Sequence, residues 1–96
     1  MYQIIRYPMG IATDTELDLT KMSITDGCKE QDRLHKEGHN ILAVIYEREK
    51  LAEIRPLLQK IAENPHAVEV TWFSGRRGFV AKRTDGKLFE FHIVKK

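Results

Sequence analysis

Residues 67–94 read AVEVTWFSGRRGFVAKRTDGKLFEFHIV. Three runs rich in β-branched and aromatic residues are separated by two glycine-bearing breaks, Gly75-Arg76-Arg77-Gly78 and Thr84-Asp85-Gly86. Asp-Gly between alternating runs is a strong hairpin signal, because glycine takes positive φ without steric penalty. The stretch predicts three antiparallel strands: one placing Val68, Val70 and Trp72 on a single face, one over Phe79–Arg83 and one over Leu88–Val94. A three-residue loop over Thr84-Asp85-Gly86 sets Phe79 against Phe91 and Ala81 against Phe89, with Arg83 against Lys87. A two-residue loop sets Val80 against Phe91 and Lys82 against Phe89. The first is preferred, because cross-strand aromatic pairs stabilise a sheet.

Upstream, ILAVIY at residues 41–46 is apolar on both faces and predicts a central strand covered on both sides. Leu51, Ile54, Leu57, Leu58, Ile61 and Ala62 then recur at three- and four-residue spacing, one apolar face of a helix over about 48–63. Pro56 falls inside this pattern, so the helix is expected to kink there or to begin near Arg55. The strand, this helix and the strand at 67–73 together could form a βαβ unit. Tyr2–Tyr7 reads as a strand stopped by Pro8 and Gly10. Thr25 and Asp26 are candidate N-caps for a short polar helix ending at Gly38. Residues 11–24 fit an edge strand at Glu16–Thr20 or a helical turn.

The expected fold is therefore α+β. It is a single small domain over residues 1–96, with a four- to five-stranded mixed or antiparallel sheet ending in a C-terminal meander. One main amphipathic helix and one short polar helix pack on it. A chain of 96 residues buries about 60–65% of its extended surface, enough to fold without a metal or a disulfide. The single cysteine, Cys28, excludes an internal disulfide and fits a reducing compartment. The N-terminus lacks a signal-peptide pattern, and the six-residue apolar run at 41–46 is far below the ~20 residues of a membrane-spanning helix. A cytoplasmic protein without a membrane segment is expected.

The net charge of +2 hides a split along the chain. Residues 66–96 carry seven basic against three acidic groups, a net of +4; residues 1–65 carry nine against eleven, a net of −2. A basic meander interleaved with aromatics suits a polyanion, since cations hold phosphates and rings stack on bases. The expected function is a non-enzymatic binding domain contacting nucleic acid or an acidic protein surface. Arg76, Arg77, Lys82, Arg83 and Lys87 would supply the charge, and Phe79 (or Trp72) the stacking. Arg77-Gly78-Phe79 matches the opening of the RNA-recognition-motif strand signature, but Val80 and Ala81 break it and no helix follows, which excludes that family. The alternative is a protein-interaction module or inhibitor using an exposed sheet face or edge. The sheet carries bulky groups on both faces, so a homodimer through it is a further expectation.

Catalytic signatures are thin. There is no Gly-rich phosphate loop followed by Lys-Ser/Thr and no G-x-S-x-G elbow. Glu47, Glu49 and Glu53 near a helix start are explained by the helix dipole. Cys28 and His35 lie seven residues apart, about 10.5 Å along a helix and too far for a nucleophile–base pair. With His39 they are weak metal candidates, but a closed structural site needs a fourth ligand. No cofactor is expected, and a small enzyme whose site leaves no linear trace is the third reading.

Overall fold

A computed structural model describes residues 1–9 and 12–96. Its elements in order are β1 (Tyr2–Pro8), β2 (Thr15–Asp18), α1 (Ile24–Lys36), β3 (Ile41–Arg48), α2 (Leu51–Ala62), β4 (Ala67–Trp72), β5 (Gly78–Arg83) and β6 (Leu88–Lys95). The six strands form one mixed sheet in the order β2-β3-β1-β6-β5-β4, with every pair antiparallel except β2 and β3. The α+β class agrees with the sequence, and the strand number is six rather than four or five. The added strand is β2. Thr15–Asp18 runs parallel to Ile41–Val44 and forms one edge. Gly10, expected to help stop β1, and Ile11, the start of the ambiguous segment, lie outside the described residues.

Strand alternation divides the sheet into two faces. Ile4 and Arg6 of β1, Ala43 of β3, Phe79, Ala81 and Arg83 of β5, and Phe89, Phe91 and Ile93 of β6 share one face by register. Both helices pack on that face. Ile54, Leu58 and Ile61 of α2 enter the same buried cluster as Ile4, Ala43, Phe79 and Ile93. The open face carries Ile5, Tyr7, Leu42, Val44, Val80, Glu90, His92 and Val94. β3 is therefore neither central nor covered by helices on both sides. It stands second from the edge, and on the open face its Val44 pairs with Ile5 of β1, both side chains buried. Residues 15–18 extend the sheet sideways and leave the open face uncapped.

β3 and β4 are parallel but lie four positions apart, so α2 carries the chain across β1, β6 and β5 instead of closing a tight βαβ unit. α2 begins at Leu51, well before Pro56. Glu53 fixes this start, its carboxylate accepting from the Lys50 backbone N–H at 3.1 Å. The acceptor that Pro56 leaves free belongs to Ala52 on an exposed turn, where water can replace the lost donor. α1 begins at Ile24, capped not by Thr25 or Asp26 but by Ser23, whose hydroxyl accepts from the Asp26 N–H at 3.1 Å. Gly38 follows the helix with φ +91°, the left-handed position that glycine fills at low cost.

The last hairpin has the three-residue-loop register, with Phe79 opposite Phe91 and Ala81 opposite Phe89. The Arg83 N–H donates to the Lys87 carbonyl at 2.8 Å, closing the loop. In β4 the register slips between Ala67 and Glu69. Val70 and Trp72 turn toward the helix side, but the slip throws Val68 outward, 61% exposed, off the face expected for it. The link to β5 is a 3₁₀ turn over Ser74–Arg76, with Gly75 and Arg76 both at positive φ. A Cβ on Gly78 would collide with the Phe91 carbonyl, so glycine there lets β5 lie close against β6.

Candidate functional site: a cavity holding two arginines

The helix face is unevenly filled. α2 contributes Ile54, Leu58 and Ile61, whereas the buried positions of α1 are Gly27 and Gln31. A small residue and an amide cannot fill the space above the sheet that Leu or Ile would occupy. The result is a cavity of about 60 Å³ between α1, the end of α2 and strands β1, β5 and β6. Phe79, Ala81, Phe89 and Phe91 form its apolar floor; Cys28, Gln31, Asp32 and Asn64 line its walls.

Arg6 projects from the middle of β1 into this space. Its residue is 3% exposed, and its guanidinium carbon lies 3.9 Å from the centroid of the Phe89 ring. Nη1 donates to the Gln31 Oε1. Among the described residues no carboxylate stands within ion-pair distance of it. Burial, with Arg83 adding like-charge repulsion, pulls the Arg6 pKa down to about 10; Asp32 offsets part of this.

Arg83 enters from β5. Its Nη2 meets Asp32 Oδ1 on α1 at 2.7 Å, and its guanidinium lies 5.5 Å from the same Phe89 ring. Its Nε is buried with no hydrogen-bond partner among the described residues, 3.9 Å from an Asp85 carboxylate oxygen. Arg83 thus has two carboxylates, Asp32 in contact and Asp85 at 3.9 Å, and Arg6 has none within ion-pair distance among the described residues. On the far wall the Asn64 Nδ2 donates to Cys28 Sγ at 3.1 Å, and burial pushes the thiol pKa up. A protonated thiol is a poor nucleophile, and guanidiniums donate without accepting. The cavity offers guanidinium donors to an anion, and its lining carboxylate, Asp32, is already engaged by Arg83.

The chain matches no protein-family model, no curated protein and no solved structure.

The basic residues expected to act together are distributed. Arg76 and Arg77 are exposed at the β4–β5 turn, with Arg76 4.8 Å from the Trp72 ring centroid and 3.5 Å from Gln59. Lys82 points to the open face beside Glu69. Arg83 belongs to the cavity. Lys87 lies beyond the opposite hairpin end, its Nζ 3.1 Å from His35 Nε2. β5 separates the two ends by roughly 17–20 Å at the usual rise per residue. Phe79 is 0% exposed, stacked on Phe91 and tilted against Trp72, and cannot receive a base without unfolding. The open face is acidic: Glu16, Asp18, Glu47, Glu69 and Glu90 share it with Lys82, and Lys96 reaches Glu47 at 2.8 Å.

Cys28, His35 and His39 do not converge. Cys28 faces Asn64, His35 lies against Phe89 and Lys87, and His39 is 3.3 Å from the Thr15 hydroxyl. No cluster of three or more His, Cys, Asp or Glu able to hold a metal occurs among the described residues. Arg6 and Gln31 escaped notice as polar residues in a short strand and a polar helix. Two signals pointed to them: Arg6 shares a strand face with Ile4, and Gln31 falls three residues from both Cys28 and Leu34.

Proposed function

We propose that this chain is a small non-enzymatic binding domain whose ligand is an anion received beside Arg6. The observation that carries this reading is a guanidinium 3% exposed, held by one amide and lacking a carboxylate partner among the described residues. An uncompensated buried charge costs several kcal/mol, and an apolar residue of similar volume avoids that cost. A ligand carrying the missing negative charge accounts for keeping arginine there. The test is the melting temperature in sodium salts of carboxylates and phosphate against sodium chloride at equal ionic strength. A concentration-dependent rise that disappears in Arg6→Gln supports the reading; equal melting in all salts rejects it.

A second reading keeps the basic β4–β5 turn as a contact for nucleic acid or an acidic protein. It is favoured by Arg76 lying over the partly buried Trp72 ring with Arg77 exposed beside it. Binding to mixed oligonucleotides should then weaken with salt and with Arg76→Ala/Arg77→Ala. The uncapped open face, with Leu42, Val80 and Val94 partly exposed, supports a homodimer or another protein partner. A mass independent of concentration in light scattering counts against the homodimer. No helix is long and apolar enough to cross a membrane among the described residues, and the free Cys28 thiol favours a cytoplasmic setting.

A further inference from the structure

We infer that the ligand of the Arg6 cavity is a short-chain monocarboxylate, a planar head on Arg6 with an aliphatic tail of two or three carbons; this rests on the anion-binding reading above. Charge comes first. Arg83 is paired with Asp32 at 2.7 Å and approached by Asp85 at 3.9 Å, whereas Arg6 has no carboxylate within ion-pair distance among the described residues, so a single negative charge has its place on Arg6. A second negative charge would be opposed by Asp32, which lines the same space.

Head shape comes next. Nη1 of Arg6 is committed to Gln31. The remaining donors of a planar fork match the two oxygens of a carboxylate. Arg83 lines the same cavity, and its buried Nε, without a hydrogen-bond partner among the described residues, is a further N–H. A phosphate would bring at least two more oxygens against Phe79, Ala81, Phe89 and Phe91, where nothing can donate to them.

Size and polarity set the tail. A water needs roughly 10–15 Å³ of such space, so about 60 Å³ receives four to six water-sized groups. A carboxylate head uses three of them. The floor of aromatic rings and Ala81, with Ile45 beside it, rewards methylenes over hydroxyls. Propionate and butyrate fit; acetate leaves the apolar part empty, and octanoate exceeds it.

The experiment is titration of the full chain, followed by amide NMR and calorimetry. The probes are sodium acetate, propionate, butyrate, octanoate, inorganic phosphate and neutral butyramide, all at one ionic strength. Affinity should rise roughly fourfold per added methylene from acetate to butyrate. It should gain nothing further at octanoate, and butyramide and phosphate should be at least tenfold weaker than butyrate. Arg6→Gln should abolish binding. Cys28→Leu fills the cavity without touching the guanidinium, so it should reverse the preference toward acetate; it also serves if Arg6→Gln does not fold. Arg6-dependent binding of phosphate in preference to butyrate would overturn the carboxylate assignment and leave the anion site standing. Binding of butyrate unaffected by both variants would overturn the carboxylate assignment and the site together, as would no response to any anion.

Discussion

Arg6 and Gln31 meet across 25 residues of sequence as a buried donor and acceptor between the central sheet and α1. Such a pair contributes little net stability when desolvation is counted, but losing one member leaves the other unsatisfied. Gln31→Leu should therefore destabilise the protein by about 1–3 kcal/mol. Arg6→Met/Gln31→Leu, which removes charge and acceptor together, should match the wild type or exceed it. Urea denaturation of both variants decides this. A double variant less stable than Gln31→Leu alone would make Arg6 a structural residue and remove the main reason to assign it a ligand.

Asp32 holds Arg83 at 2.7 Å and is the strongest negative influence on Arg6. Asp32→Asn leaves two guanidiniums above Phe89 with no carboxylate in contact except the 3.9 Å approach of Asp85. Stability should fall by about 1–3 kcal/mol, since the pair is only partly shielded from solvent. Anion affinity should rise at the same time, because the repelling carboxylate is gone. Parallel urea and butyrate titrations of this variant separate the two effects. A fall in both would mean that Asp32 orders the site rather than opposing the ligand's charge.

His35 gives a pH dependence. Its ring lies 5.9 Å from Phe89 and its Nε2 is 3.1 Å from the Lys87 ammonium. Burial first, then Lys87, Arg6 and Arg83, hold its pKa below the usual value near 6.5, and Asp85 only partly opposes them. The unfolded chain therefore binds this proton more readily than the folded one. The stabilisation is complete above about pH 6.5 and is lost as pH falls through the unfolded value toward the folded one. Melting temperature should drop on acidification below about 6.5, and His35→Gln should flatten that limb. An unchanged acid limb in the variant would assign the effect to another group.

Much of the C-terminal half was legible because its cues are local. Asp85-Gly86 and the spacing of Phe79, Ala81, Phe89 and Phe91 specify both loop and register without reference to the rest of the chain. β2 was ambiguous for the opposite reason. Four half-exposed residues carry a weak alternation, and their strand identity depends on pairing with Ile41–Val44 more than twenty residues on. Pro56 misdirected the expected start of α2, since the propensity rule carries no account of the Glu53 cap upstream. The basic count of the last third was correct as a sum, but alternation sent Lys82 and Arg83 to opposite faces and the turns carried Arg76 and Lys87 to opposite ends. The cavity was least legible, because it is a shortage of volume on α1 that appears only when Gly27 and Gln31 are set against the sheet.

Cys28 offers a chemical report on the same space. Its thiol faces the cavity, accepts from Asn64 at 3.1 Å and has its pKa raised by burial. Only the thiolate alkylates, so iodoacetamide should react more slowly with the folded chain than with the urea-unfolded chain. The pH midpoint of the reaction should lie on the alkaline side of the unfolded midpoint near 8.5. Occupation by butyrate should slow the reaction further, both by filling the space and by placing a negative charge near the developing thiolate. Arg6→Gln should remove that protection while leaving the alkylation of the empty protein measurable. Mass spectrometry of alkylation against time, with and without butyrate, reads all of this from one peptide. Equal rates in both conditions, in a protein whose melting temperature responds to butyrate, would move the anion's binding place away from the Cys28 wall.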